Sequence, residues 1–189
     1  MQSIVIFASG GGSNAAAIIN HFRESTTARV TLIVCNKPEA GVIEIAKNEG
    51  IPFLLISKKT FGELLIVEQL REFSPSIIVL AGFLWKIPEH IIHAFPGIII
   101  NIHPALLPSY GGKGMHGQHV HTAVLANNER ESGITIHYVN EAYDEGNAIL
   151  QARCAVLKSD TPVELSKRVL KLEHFYLPRA VEFFLFFSR

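Results

Sequence analysis

Five short apolar runs rich in β-branched residues recur along the first hundred residues, and they constrain the fold more than any other feature. They occupy residues 3–8, 30–34, 53–56, 77–80 and 98–102. Between them, segments 15–22, 42–48 and 64–73 have apolar residues about 3.6 positions apart. Strands that are apolar on both faces and alternate with helices predict an α/β fold. It is doubly wound, with a mostly parallel sheet and helices on both faces.

The second half of the chain has a different pattern. Residues 134–139 alternate like a half-exposed strand, and residues 148–157 are predicted to pair with them. A last helix is predicted to begin with Thr161 as N-cap, Pro162 at the first position and Glu164 in the first turn. Pro178 is expected to bend or divide that helix. No repeat or linker interrupts the sequence, so residues 1–189 are predicted to form a single domain.

Composition excludes several classes of protein. Hydrophobic residues make up 48% of the 189 residues and charged residues 18%, which excludes a disordered tail or a fibre. Lys+Arg and Asp+Glu both count 17, so the chain lacks the basic field typical of nucleic-acid binding. No apolar run reaches the roughly 18–20 residues of a membrane span. We therefore predict small-molecule partners, with no nucleic acid and no membrane.

Two cysteines, Cys35 and Cys154, lie inside apolar runs. This placement predicts buried thiols rather than a disulfide, and it indicates a reducing compartment. A cytoplasmic location is the expectation.

A glycine-rich loop follows the first strand and opens the first predicted helix, with the sequence Gly10-Gly11-Gly12-Ser13-Asn14-Ala15. Backbone N–H groups at a helix N-terminus suit a phosphate. The spacing also fits a dinucleotide fingerprint, but no carboxylate stands at the end of the second strand to hold a ribose. A tight turn without ligand is a third interpretation. We favour a site for a single phosphate.

The fifth strand ends in Asn101-Ile102-His103-Pro104. Asn101 and His103 are two positions apart and therefore share a strand face. An amide and an imidazole at the carboxyl end of a parallel strand can both donate to a developing oxyanion. The alternative is a satisfied polar pair that only ends the strand.

A second polar pair, Thr135 and His137, shares one face of a later strand, and we expect an ordered water beside it. The acidic turn beyond, residues 140–146, offers a carboxylate to orient a histidine and favour its protonated form. Spacing alone does not choose between Asp144 and the neighbouring glutamates.

Three histidines, His116, His119 and His121, follow a loop that contains Lys113. Their spacing raises a metal site as a hypothesis, but no Cys or Asp lies nearby to complete a tetrahedron. We predict no metal and a solvated or hydrogen-bonded cluster. Lys113 is either a contact for an acceptor phosphate or a solvated lysine.

Together, segments 9–14, 81–83, 101–107, 135–139 and 143–146 resemble the folate-dependent phosphoribosylglycinamide formyltransferase family. The resemblance extends from about residue 3 to about residue 187. It implies the formyltransferase fold and transfer of the formyl group of 10-formyltetrahydrofolate, as co-substrate, to the amine of N1-(5-phospho-D-ribosyl)glycinamide.

The resemblance also implies roles for particular residues. His103 would be the proton donor, with Asn101 polarising the formyl group and Asp144 raising the pKa of His103. The residues implied for the acceptor are Gly12, Ser13, Asn14, Leu170, Lys171, Leu172 and Glu173. Those implied for the folate are Asn101, Leu84, Trp85, Lys86, Ile87, Asn140, Glu141, Ala142, Tyr143 and Asp144. Trp85 stands where family members often have Arg or Lys, and Lys58 or Lys59 is considered for the folate tail.

Two other functions remain open from the sequence. Formyltetrahydrofolate hydrolysis would use water in place of the amine, and a nucleotide-binding module would use the glycine loop without catalysis. The oligomeric state is expected to be a monomer or a weak homodimer.

Overall fold

One sheet of seven strands organises the chain, of which the computed structural model describes residues 1–187. The strands are β1 (Gln2–Ala8), β2 (Ala28–Cys35), β3 (Phe53–Leu55), β4 (Pro75–Leu80), β5 (Ile99–His103), β6 (Glu131–Tyr138) and β7 (Ala148–Ala155). All seven predicted strands are confirmed, with small shifts at their ends. The half-exposed pattern predicted for residues 134–139 is wrong, because β6 is buried on both faces from Ser132 to His137.

The strand order is β3-β2-β1-β4-β5-β6-β7. Strands β1 to β5 are parallel, whereas β6 is antiparallel to β5, and β7 is antiparallel to β6, as predicted. The chain therefore begins in the middle of the sheet and winds outward first to one side and then to the other. The loops after β1 and β4 diverge at this switch point, which leaves a crevice between them.

Seven helices connect the strands within residues 1–187. They are α1 (Ser13–Phe22), α2 (Gly41–Asn48), α3 (Lys58–Gly62), α4 (Leu65–Arg71), α5 (Glu89–Ala94), α6 (Gln118–Ala126) and α7 (Pro162–Phe187). Helices α3, α5 and α6 were not predicted from sequence. The first two bury a single residue each, Phe61 and Ile91, so they carry almost no apolar periodicity.

Both faces of the sheet are covered, as predicted. Ile4 and Ile6 of β1 belong to a core cluster that includes residues of α1, α2, α6 and α7. Val5 and Phe7 point the other way and pack with residues of α3, α4 and α5. Because side chains alternate along a strand, this division places helices on either side of β1.

Helix α7 begins as predicted and is not divided at Pro178. Its start is confirmed, because the Glu164 N–H donates to Thr161 Oγ1 at 3.3 Å and the Thr161 N–H donates to Glu164 Oε2 at 2.7 Å. Pro178, however, lies inside a helix that continues to Phe187 without division. Leu177 and Val181 beside it are fully buried. Packing on the core offsets the backbone N–H that proline lacks.

The two cysteines carry free thiols. Cys35 is buried, as predicted, whereas Cys154 is only half-buried on β7. Within residues 1–187, none of the helices combines the length and apolarity that a membrane crossing requires.

Candidate active site

A cavity of about 560 Å³ opens at the carboxyl ends of β1, β4 and β5. Its position is the switch point of the sheet, where open α/β sheets bind ligands. It brings together most of the residues singled out in the sequence. Those that line it are Asn14, Leu84, Trp85, Lys86, Ile87, Asn101, His103, Asn140, Ala142, Tyr143, Asp144, Leu170 and Glu173.

His103, the last residue of β5, is 4% exposed and lies at the base of this cavity. Its Nε2 is 2.7 Å from the carbonyl oxygen of Tyr110, and its Nδ1 is 3.7 Å from Asp144 Oδ2. A carbonyl oxygen only accepts, so Nε2 carries a hydrogen and donates it to Tyr110. Nδ1 is therefore the nitrogen left to face Asp144 and the cavity.

The pKa of His103 differs from the expectation. Burial lowers the pKa of this imidazole below its ordinary value, and the nearby His137 lowers it further. The Asp144 carboxylate and the Tyr110 carbonyl raise the pKa, but they offset only part of the effect of burial. Asp144 acts in the predicted direction, whereas the net shift is downward because the ring is desolvated.

Asp144 is held as a carboxylate from several sides. Burial raises its pKa, but the His137 and His103 imidazoles and the Gly112 N–H together hold the pKa of this carboxyl below its usual range. The Gly112 N–H donates to Asp144 Oδ2 at 2.8 Å. Asp144 has a φ of +55°, a left-handed conformation that is costly for a residue with a side chain. This conformation turns its carboxylate toward the two histidines.

Sequence reasoning missed the segment that holds this pair, Tyr110 to Gly112. The Tyr110 carbonyl fixes His103 and the Gly112 N–H fixes Asp144. Between them, Gly111 passes so close to Leu107 and Asp144 that an added Cβ would lie 2.6 Å and 3.3 Å from their side chains. The Tyr-Gly-Gly run was the available signal, because adjacent glycines mark a turn of unusual conformation.

Asn101 lies beside the pair and contacts His137 on the neighbouring strand β6. The His137 Nδ1 is 2.8 Å from the carbonyl oxygen of Tyr138, so it carries the hydrogen. Its Nε2 then accepts from Asn101 Nδ2 at 3.1 Å. The other Asn101 N–H makes only a long 3.5 Å contact with Asp144 Oδ1. That weakly held N–H is the one free to donate to a ligand.

Thr135 does not have the role expected for the pair of Thr135 and His137, which was to lie beside an ordered water at the site. Its hydroxyl donates to the Ala105 carbonyl at 2.7 Å and accepts from the Leu107 N–H and Gln151 Nε2 at 3.0 and 2.9 Å. Thr135 is fully buried and does not line the cavity. Its hydroxyl fixes the loop after β5, and its bonding capacity is filled.

Asn14 and Glu173 form a second polar unit on the cavity wall. Asn14 Nδ2 donates to Glu173 Oε2 at 2.5 Å, while Asn14 Oδ1 is buried without a hydrogen-bond partner. Burial raises the pKa of Glu173, and the bond from Asn14 offsets this only in part. The unpaired atom of Asn14 is an acceptor closed to solvent and its amide group is engaged by Glu173, so in this arrangement the side chain holds Glu173 and offers no donor to a phosphate.

Gly12 and Ser13 lie outside the cavity lining, at the N-terminus of α1. Gly12 has a φ of +81°, and a Cβ there would lie 2.8 Å from Val42 Cα of α2. The glycine is therefore required by its conformation and by the packing of α1 against α2, whether or not a phosphate approaches. No side chain caps α1, so its first backbone N–H groups remain available to an anion.

The segment from Leu84 to Ile87 forms a third wall, anchored by the Leu84 N–H, which donates to Ser9 Oγ at 3.0 Å. Trp85 packs against Phe61 and Phe83, with ring centroids 5.8 and 6.1 Å apart. Trp85 therefore gives this wall an aromatic surface.

Five residues expected at or near the site lie elsewhere. Glu141 lies on the outer surface, where its Oε1 is 2.7 Å from His93 Nε2. In α7, Leu170 and Glu173 line the cavity, but Lys171 between them is exposed and Leu172 packs against the core. The helical period separates them, because neighbours in a helix are about 100° apart. Lys58 and Lys59 are on α3, outside the cavity lining.

The loop from Gly112 to Gly117 and His121 complete the cavity wall, and they include Lys113 and His116. His116 and His119 pack edge to face, whereas His121 is buried near His103. Among residues 1–187, no group of three His, Cys, Asp or Glu side chains is arranged to hold a metal ion.

Comparison with known proteins identifies the family. A formyl transferase family model matches residues 2–181. The phosphoribosylglycinamide formyltransferase of Bacillus subtilis is 37% identical over 188 residues, which cover 96% of this chain and 94% of that protein. The chloroplastic phosphoribosylglycinamide formyltransferase of Arabidopsis thaliana is 43% identical over 180 residues, which cover 92% of this chain. The chain spans about three fifths of the length of the two plant relatives from Arabidopsis thaliana and Vigna unguiculata (62% and 60%).

Solved structures give the same answer for the fold. Glycinamide ribonucleotide transformylase 1 from Geobacillus kaustophilus superimposes with a TM-score of 0.89 at 32% identity, covering 98% of this chain and 99% of that one. Phosphoribosylglycinamide formyltransferase from Brucella melitensis superimposes with a TM-score of 0.87 at 35% identity, covering 97% and 95%. With the matched length, the shared fold and the converging Asn101, His103 and Asp144, the chain belongs to the phosphoribosylglycinamide formyltransferase family.

Proposed function

We propose that the chain transfers the formyl group of 10-formyltetrahydrofolate to the amine of N1-(5-phospho-D-ribosyl)glycinamide. The observation that carries this proposal is the convergence of Asn101, His103 and Asp144 at one end of the cavity. One Asn101 N–H, and His103 Nδ1 once the ring is protonated, are donors there without a tight protein partner. Together they suit the oxygen of a formyl group that becomes an oxyanion.

The chemistry follows from these positions. The neutral amine of the acceptor attacks the formyl carbon, and protonated His103 donates through Nδ1–H to the developing oxyanion. Asn101 keeps its bond to His137 and gives its second N–H to the same oxygen. Asp144, ionised and 3.7 Å away, favours the imidazolium. No covalent enzyme intermediate is needed.

The tetrahedral intermediate then collapses, so that the carbonyl re-forms and the bond between the formyl carbon and the folate nitrogen breaks. The proton released by the amine ends on that nitrogen. Thr135 takes no part in this transfer, because its hydroxyl is already bonded to the loop after β5. His137 Nε2 is engaged by Asn101, so this imidazole holds the amide in place rather than carrying the proton.

We assign the acceptor to the wall formed by α1 and α7. The backbone N–H groups at the start of α1, in Gly12, Ser13 and Asn14, suit its phosphate. The Glu173 carboxylate, which Asn14 Nδ2 holds, suits donors on its ribose or glycinamide part. The folate is assigned to the opposite wall, the segment from Leu84 to Ile87 and the loop from Asn140 to Asp144.

The same proposal includes the co-substrate, the domain organisation, the oligomeric state and the cellular location of the protein. 10-Formyltetrahydrofolate acts as co-substrate without a metal, residues 1–189 act as a single domain, and the protein is a monomer or weak homodimer. A cytoplasmic location is supported by the two free thiols.

The test is an assay of tetrahydrofolate release with and without the glycinamide ribonucleotide acceptor. The proposal expects release that depends on the acceptor and yields its formylated product in equal amount. Release without acceptor would instead indicate the hydrolase. Binding of NADP with no release under either condition would indicate a nucleotide-binding module.

A further inference from the structure

Tyr110 has a backbone conformation that a bulky residue rarely adopts. Its φ is +58°, in the left-handed region, where a residue with a Cβ is strained. Such strain persists only where the surrounding structure enforces it, and it is concentrated at functional sites. The conformation has one visible result, since the Tyr110 carbonyl oxygen lies 2.7 Å from His103 Nε2.

The Tyr110 side chain shows what enforces this conformation. Its phenol donates to Glu129 Oε1 at 2.7 Å and accepts from Asn127 Nδ2 at 2.9 Å. The ring packs against the main core cluster. Asn127 and Glu129 belong to the turn between α6 and β6, outside the cavity lining. The phenol is therefore held between two side chains that lie outside the cavity lining.

The His103 ring depends on this carbonyl for its orientation. A neutral imidazole has a hydrogen on one nitrogen only, and the acceptor at Nε2 favours the Nε2–H form. Protonation then adds the hydrogen at Nδ1, the nitrogen that faces Asp144 and the cavity. If the acceptor moved, the neutral ring would also populate the Nδ1–H form, and the ring would be freer to rotate.

We propose that Tyr110 is a positioning residue, whose phenol, bonded to Asn127 and Glu129, holds its carbonyl against His103 and thereby directs Nδ1 of that imidazole to the reacting group. The proposal rests on the proposed function for the role of His103. It adds a residue outside the predicted site, acting through the backbone, and it makes the turn between α6 and β6 part of the catalytic geometry.

The experiment compares Tyr110→Phe with Tyr176→Phe. The second is a matched control, because Tyr176 also packs against the main core and its phenol makes no hydrogen bond within residues 1–187. Nitrogen-15 NMR of His103 in the unliganded protein measures the population of each neutral tautomer. Steady-state kinetics measure kcat and the KM values of both substrates.

We expect Tyr110→Phe to populate the Nδ1–H tautomer of His103 and to lower kcat up to about tenfold, as for the loss of one or two hydrogen bonds. Both KM values should change little, because Tyr110 is outside the cavity lining. Tyr176→Phe should change neither the tautomer nor kcat. Glu129→Ala should act like Tyr110→Phe, and Glu129→Gln, which keeps an acceptor oxygen, should restore the original behaviour.

An unchanged tautomer and kcat in Tyr110→Phe would overturn the proposal, as would equal losses in Glu129→Ala and Glu129→Gln. The NMR measurement does not depend on turnover. Failure of the proposed formyl transfer would leave the tautomer result intact, and failure of the positioning role would leave formyl transfer intact.

Discussion

Replacing Asp144 with Asn tests the electrostatic link to His103. The two side chains are 5% and 11% exposed, and their charged atoms are 3.7 Å apart. At an effective dielectric of about 20, unit charges about 4 Å apart interact by about 4 kcal/mol. Each 1.4 kcal/mol or so changes the ratio of protonated to neutral imidazole tenfold. Carboxylates at such distances usually shift a pKa by about 1–3 units, which is no more than this Coulomb energy would give. We therefore expect the ratio of protonated to neutral His103 to fall roughly 10- to 1000-fold.

The sign and the shape of the pH profile follow from two groups. His103 must be protonated, and burial holds its pKa below the ordinary value. The acceptor amine must be neutral, and an ordinary α-amino group has a pKa of about 7.7–8.0. Between the two pKa values, protonated His103 declines as fast as neutral amine increases, so kcat/KM for the acceptor forms a plateau. The acid-side break of the plateau belongs to His103 and the base-side break to the amine.

Asp144→Asn should therefore lower the plateau and move its acid-side break to lower pH by the matching amount. The base-side break should stay, and the two enzymes should converge at low pH, where His103 is protonated in both. The assay is kcat/KM for the acceptor from pH 5 to 9 or so, at saturating formyl donor. Glu145→Gln removes an exposed carboxylate from the same loop and should leave the profile unchanged. A loss in Asp144→Asn that is equal at every pH would refute the reasoning and leave Asp144 a shape-determining residue.

Three further predictions concern the cavity walls. Asn101→Ala should raise the activation free energy of the reaction by roughly 2.7–4 kcal/mol, which lowers kcat, with little change in the KM of the formyl donor. Rapid-quench single-turnover measurements show whether the loss is in the chemical step. Gly12→Ala should lower the free energy of unfolding by roughly 1–3 kcal/mol more than Gly50→Ala, because both have positive φ but only Gly12 lacks room for a Cβ. Urea denaturation measures this, and equal losses would contradict the packing argument. Glu173→Gln should raise the acceptor KM while leaving the donor KM unchanged, and calorimetric titration with each substrate separates the two.

Local sequence determined most of the fold. The isoleucine- and valine-rich runs predicted all seven strands, since strands buried on both faces need little beyond apolar β-branched residues. The Thr161-Pro162 start of α7 was predictable because capping depends on residues within one turn. The short helices α3 and α5 were not, because each buries one residue and leaves no periodic pattern. The division considered at Pro178 does not occur, and the sequence could not exclude it because the burial of its neighbours is a tertiary property.

The sequence by itself also placed Asn101 and His103 on one strand face at the ligand-binding edge of the sheet, because strand alternation and the switch-point rule are general. The pairing of Asp144 with His103 was implied only by the family resemblance. Only the tertiary structure decided what each group does there. It buried His103 enough to lower its pKa despite Asp144, filled the bonding capacity of Thr135, and turned Asn14 toward Glu173. It also brought the Tyr110 carbonyl to His103 Nε2. Protonation and hydrogen-bond partners depend on desolvation and on distances between residues far apart in the chain, and no local pattern of residues encodes those quantities.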